Sequence, residues 1–233
     1  MAKELRVRCT LLEEILGTAS NNPEIHSEFI ASKAPDAPKR EEEIAAIGVD
    51  AEIEKGMTVF PRNAAGQPIM WDYQIRGFFK ESCGANRKNT KSQSAKVKSY
   101  KKQIDLLVFV AEREIPFMLP AGMSIGSCQR PLRAQTAQGE RISLANSETI
   151  PAGTEIEFSI ITIIDSDMAA VKEWLDYGLL HGFGCWRNSS KGRFIWEPIE
   201  ERDADPKQVR ELVMESYKKK PELQKVFSRL GYV

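Results

Sequence analysis

The chain has 233 residues, 42% of them hydrophobic and 28% charged, enough to bury one substantial core with appendages but hardly two independent domains. Lys and Arg match Asp and Glu at 33 each, so a polyanion-binding surface has to come from local segregation of charge. No continuous apolar stretch of signal-peptide type appears at the start and no window approaches the length of a membrane span, which leads us to expect a soluble, cytoplasmic protein without membrane contact. Cys9, Cys83, Cys128 and Cys185 are scattered, with no C-x-x-C pair, and His26 and His181 are the only histidines. We therefore expect buried thiols, no metal site and no cofactor.

Residues 5–16 alternate Val7, Cys9 and Leu11 with Arg6, Arg8 and Thr10, the period of a half-buried strand. Residues 17–56 then turn polar and rich in Pro, Asn and Glu, which predicts a long projecting insertion with a short helix near 41–47. Residues 57–60 suit a short strand, and a turn through Pro61 and Gly66 leads to a helix over 71–82, capped by Asp72 and stopped at Gly84. On it Ile75, Phe78 and Phe79 share the buried side, while Arg76 and Lys80, four apart, form a cationic face. Between Arg87 and Lys102 there are seven cations and no acid. Residues 104–111 suit a strand, with another at 115–119.

The run 155–164 is apolar on one face and, in its second half, on both, as in a central strand. A helix follows over 167–180, with Met168, Val171, Trp174, Leu175 and Leu179 as its apolar stripe. After it come a loop carrying Gly182, Phe183, Gly184, Trp186, Arg187, Lys191, Gly192 and Arg193, and a strand 194–197 that Pro198 ends. The tail is helical, with Val209, Leu212, Val213, Leu223, Val226 and Phe227 as its apolar contacts. Trimmed of insertions, the order is βαββαβ, an α+β ferredoxin-like (RRM-like) core. We assign it to residues 1–200, with an insertion at 17–56, a basic loop at 86–103 and a helical extension at 201–233.

A glycine-rich loop lets backbone N–H groups approach phosphate, and Arg187, Lys191 and Arg193 add charge beside it. Trp186 or Phe183 could stack on an unpaired base. The structural alternative is a loop whose glycines only permit tight turns. For the 87–102 segment the alternative is a solvated loop. Trp71, Trp174 and Trp196 fall on apolar stripes or a closing strand and are assigned to the core.

Three segments, in order, resemble RAMP proteins, the repeat-associated subunits of CRISPR effector complexes. Pro151-Ala152-Gly153-Thr154 introduces a strand, a helix, the glycine-rich loop and a closing aromatic strand. Upstream, Tyr73-Gln74-Ile75-Arg76-Gly77-Phe78-Phe79-Lys80 is similar to the family's helix start, with Tyr73-Gln74 in place of small hydroxyl residues. Leu16-Gly17-Thr18 matches a glycine after the first strand. The resemblance implies a bacterial subunit that binds a single-stranded crRNA-like guide, in a homo-oligomer or multi-subunit complex, with residues 17–56 as a thumb. It implies RNA contacts at Arg76, Lys80, Arg87, Lys88 and the loop residues 182–184, 186–187 and 191–193. Catalytic candidates are weaker: Asp36 or Asp50 in the insertion, and His26 or His181 for an endoribonuclease that processes precursor RNA. A third possibility is an assembly protein, encoded by a phage or mobile element, that retains the fold.

Overall fold

The computed structural model describes residues 2–20, 57–136, 139–218 and 223–231. His26, Asp36, Asp50 and the short helix expected near 41–47 lie outside them. The central sheet has the order β11-β1-β10-β6, antiparallel throughout, from β1 (Lys3–Leu11), β6 (Val108–Val110), β10 (Glu155–Thr162) and β11 (Phe194–Asp203). Helix α1 (Asp72–Asn86) connects β1 to β6, and α3 (Asp167–Asp176) connects β10 to β11. Taken in chain order these four strands stand 4-1-3-2, the split βαβ arrangement of a ferredoxin-like fold.

The alternation in β1 turns Leu5, Val7, Cys9 and Leu11 into the core, all within 1% of complete burial. There they meet Ile75, Phe78 and Phe79 of α1 and Val171, Trp174 and Leu175 of α3. The opposite sheet face is ionic: Arg8 donates to Glu157 at 2.8 Å and to Glu197 at 3.1 Å, and Arg6 to Glu157 at 3.0 Å. Neither β1 nor β10 presents an aromatic ring on that face; Phe109 of β6, opposite Ile161, does, and it is 38% exposed.

A second sheet runs β2-β9-β4-β3, with β8 on the other side of β9. It joins β2 (Ile15–Leu16), β3 (Ala19–Ser20) and β4 (Thr58–Val59) to a hairpin of β8 (Gly126–Thr136) and β9 (Gly139–Ile150). A short pair, β5 (Ile69–Trp71) and β7 (Glu114–Pro116), precedes α1 in space. Helix α2 (Tyr100–Leu107) precedes β6, and α4 (Pro206–Lys218) and α5 (Gln224–Leu230) close the chain.

Several sequence expectations need correction. The apolar run at 104–111 is helix as far as Leu107 and strand only at 108–110, because a short buried run does not reveal its period. The first strand stops at Leu11, and Ile15–Leu16 pair with β9 in the other sheet. Asp72 is the first helical residue, not the cap; Gln74 Oε1 accepts the Trp71 N–H at 2.8 Å instead. The helix passes through Gly84 to Asn86. Helix α3 tightens into a 3₁₀ turn at Tyr177–Leu179, and that change of phase leaves Leu179 51% exposed. Pro198 does not end β11: the strand lies at the sheet edge, and a register shift opposite Arg6 and Val7 absorbs the irregularity. Trp174 is buried in the core, whereas Trp196 packs at its margin and Trp71 is half-buried.

Candidate nucleic-acid interface

Three chain segments far apart in sequence meet at one groove of about 490 Å³. Thr18 lines it after β2, Gln74, Gly77, Phe78 and Glu81 line it from α1, and Phe183, Gly184 and Arg187 line it from the loop before β11. Each segment has a local reason for its place. Gly17 lies so close to β4 that a Cβ would stand 2.6 Å from the Val59 carbonyl carbon, which brings Thr18 within reach of α1. Gln74 Nε2 donates to Thr18 Oγ1 at 3.0 Å while its Oε1 holds the start of α1. Gly77 has nothing within 4 Å of where a Cβ would be, so the helix backbone is open to the groove.

The loop glycines serve packing first. A Cβ on Gly182 would fall inside the backbone of Gly192, and one on Gly192, whose φ is +70°, would strike the Phe183 carbonyl. The Phe183 N–H donates to Gly192 O at 2.9 Å and the Gly192 N–H to Glu14 O at 2.9 Å. These N–H groups are satisfied within the protein and are not offered to a phosphate. Phe183 is only 2% exposed and stacks on Phe194, with centroids 4.1 Å apart and planes 7° apart. It is a core residue and cannot stack on a base. Trp186 is half-buried, holds φ +59°, unusual for a side chain of its size, and has the Arg130 guanidinium over its ring at 5.0 Å.

The basic residues expected at this site have carboxylate partners. Arg187 forms a two-point pair with Glu81, Lys191 meets Glu14 at 2.7 Å, Lys80 meets Asp105 at 2.5 Å, and Arg76 meets Asp72 at 3.3 Å. On the α1 face Lys80 is neutralised by Asp105, whereas Arg76 shares the Asp72 carboxylate with Arg113. Arg193 Nε is buried and has no hydrogen-bond partner among the described residues. His181 Nε2 lies 3.5 Å from Glu81 Oε2. Burial, reinforced by the positive charge of Arg187, pushes the imidazole below its usual pKa, so it is neutral at physiological pH.

The segment after α1 behaves differently. Ser94 is fully buried: its N–H and Oγ both donate to Glu173 Oε2 at 2.8 Å, and its Oγ accepts Trp174 Nε1 at 2.9 Å. Together with buried Val97, this pins the segment onto α1 and α3 as a built platform, not a solvated loop. From it Lys88, Lys91, Lys96, Lys98, Lys101 and Lys102 project into solvent, and no carboxylate pairs with any of them among the described residues. Arg87 covers the Tyr100 ring at 5.1 Å. Sequence reasoning named Thr18 only within its motif and missed Glu81, Glu14, Ser94 and Arg130. The last four act through contacts that no local spacing announces.

The fold and its decoration define a ferredoxin-like α+β protein with an added sheet and a C-terminal helical extension. No protein-family model matches the chain, and the curated proteins give no match. Among solved structures the chain is similar to one in the cryo-EM structure of the Type III-B Cmr-beta bound to cognate target RNA, with a TM-score of 0.51 and 9% sequence identity. The match covers 86% of this chain and 60% of that chain, so this chain spans about three-fifths of that chain's length. At this identity the likeness is one of fold. Among the described residues, no helix is long and apolar enough to cross a membrane.

Proposed function

We propose that this chain is an RNA-binding subunit of RAMP type, holding single-stranded RNA in a CRISPR-type ribonucleoprotein. What carries the reading is convergence: Leu16-Gly17-Thr18, the start of α1 and the glycine-rich loop resemble one family by sequence and line one groove in space. The lysine platform begins where α1 ends, ten residues or about 15 Å along the helix from Gly77. A strand in the groove would therefore reach a row of cations that no described carboxylate pairs. Exposed ion pairs such as Arg187–Glu81 are worth little, so a phosphate could replace the carboxylate at small cost. The deciding experiment is to purify the protein, extract and sequence co-purifying nucleic acid, and titrate single-stranded RNA against salt. RNA of discrete length in a large particle, with affinity that falls steeply with salt, supports the reading; no RNA and no binding at low salt removes it.

One observation favours a second reading, RNA cleavage. Neutral His181, the Glu81 carboxylate and the Arg187 guanidinium stand together at the groove rim. His181 would take the 2′-OH proton as that oxygen attacks the adjacent phosphorus, Arg187 would stabilise the phosphorane, and water would protonate the departing 5′-oxygen. Cleavage in EDTA that yields 2′,3′-cyclic phosphate ends and is abolished in His181→Ala would establish it. Intact RNA after long incubation would leave binding alone.

A further inference from the structure

The start of α1 carries a cluster of two aromatic rings and a guanidinium, one helical turn before Gly77. The Arg113 guanidinium lies 5.0 Å from the centre of the Trp71 ring and 5.5 Å from that of Tyr73. Two contacts fix it there. The Asp72 N–H donates to Arg113 O at 3.3 Å, and the Asp72 carboxylate, which also meets Arg76, accepts from the guanidinium. The β5–β7 pair that presents Trp71 is anchored in the core by Met70 and Ile115. Trp71 is half-buried in this arrangement, whereas Tyr73 is 51% exposed. A large ring held open to solvent beside a guanidinium is a surface on which an unpaired base stacks.

We propose that Tyr73 and Arg113 hold one unpaired base of the RNA strand, stacked on the phenol ring with the guanidinium beside it. This inference rests on the RNA reading and adds a base contact to it. Tyr73 and Gly77 are four residues apart and share one face of α1, so a strand in the groove passes the ring at the helix start. The platform lysines begin fourteen residues, or about 21 Å, further along. Ring and lysines then act on different parts of the strand, the ring on a base and the lysines on phosphates. The rings first expected to stack are engaged elsewhere: Phe183 is in the core, and the Arg130 guanidinium lies over Trp186. Tyr73 stands where the RAMP-like motif has small hydroxyl residues, so the contact belongs to this chain and not to the resemblance.

Fluorescence anisotropy of the full chain with labelled oligouridylate, and with a ribose-phosphate strand of the same length that lacks bases, tests the proposal. Tyr73→Ala should weaken oligouridylate binding about 5- to 150-fold, the range for one stacked base. The salt slope should not change, because no cation is lost. Both proteins should bind the strand without bases equally. Tyr73→Phe, which keeps the ring, should match the wild type, and Tyr73→Leu, which keeps apolar bulk without a ring, should lose as much as Tyr73→Ala. Equal oligouridylate affinity of the wild type, Tyr73→Ala and Tyr73→Leu overturns this inference and leaves the RNA reading standing. A loss in Tyr73→Phe as large as in Tyr73→Ala assigns the contact to the hydroxyl and overturns stacking. No RNA binding by the wild type at low salt removes both readings.

Discussion

The loop before β11 and the segment after α1 look alike as sequence, each a run of Lys and Arg among small polar residues, yet the fold treats them in opposite ways. In the loop, Arg187 and Lys191 are held by Glu81 and Glu14, and the glycines let two stretches of backbone pack closely. In the platform, six lysines reach solvent with no carboxylate partner among the described residues, while buried Ser94 anchors the chain beneath them. A cation is available to a phosphate to the extent that the fold leaves it unpaired, and a glycine-rich loop is a phosphate cradle only where its N–H groups are free. On both counts the platform is the stronger electrostatic contact and the loop the stronger structural element.

Substitutions that separate stability from binding can break this contrast. The largest effect is expected at Gly182→Ala, where the new methyl meets the Gly192 backbone. It should cost about 3 kcal/mol, a fall in Tm of roughly 6–12 °C. A Tm near that of the wild type would mean the loop is not tightly packed. Changing Lys88, Lys91, Lys98 and Lys101 together to Gln should leave Tm nearly unchanged. It should also reduce the slope of log affinity against log salt by about 0.7 for each phosphate that the variant no longer neutralises. If Arg187→Gln weakens RNA binding more than this fourfold change, the roles of the two regions are reversed.

Ser94→Ala removes the partner of Trp174 Nε1 and one of the two bonds to Glu173. The expected destabilisation is about 1–3 kcal/mol in denaturant unfolding, with faster amide exchange along residues 87–99. Glu81→Gln should change stability by less than about 1 kcal/mol. By releasing Arg187 it should tighten RNA binding, measured by fluorescence anisotropy; weaker binding would assign Glu81 itself to the RNA interface.

The smallest effect concerns Glu112, whose carboxylate accepts the Ser159 N–H at 2.8 Å and whose pKa burial raises above the ordinary carboxylate value. The folded state therefore holds this proton more tightly than the unfolded chain does. Its contribution to stability is complete below the ordinary carboxylate pKa and is lost as pH rises through the folded value. Glu112→Gln should raise Tm at neutral pH, and the gain should vanish in mild acid.

How much was legible depends on how local each signal is. The alternation of β1 and the apolar stripes of α1 and α3 follow from periods of two and 3.6 residues, and together with the order of elements they led to the ferredoxin-like core. The β8–β9 hairpin was hidden because its two long strands are mostly polar in sequence, with too little apolar alternation to mark a buried face. The extent of β11 was hidden because Pro198 breaks a strand in general and is tolerated only at an edge, and edges are decided by the assembled sheet.

The same division governs the site. The positions of the cations and glycines, and the identity of the segments that line the groove, were written in the sequence. Which cations remain free was not, because Glu81 reaches Arg187 across 106 residues and Glu14 reaches Lys191 across 177. Charge pairing and burial are properties of distance in space, so only the tertiary structure could separate the solvent-facing lysines of the platform from the neutralised arginine and lysine of the loop.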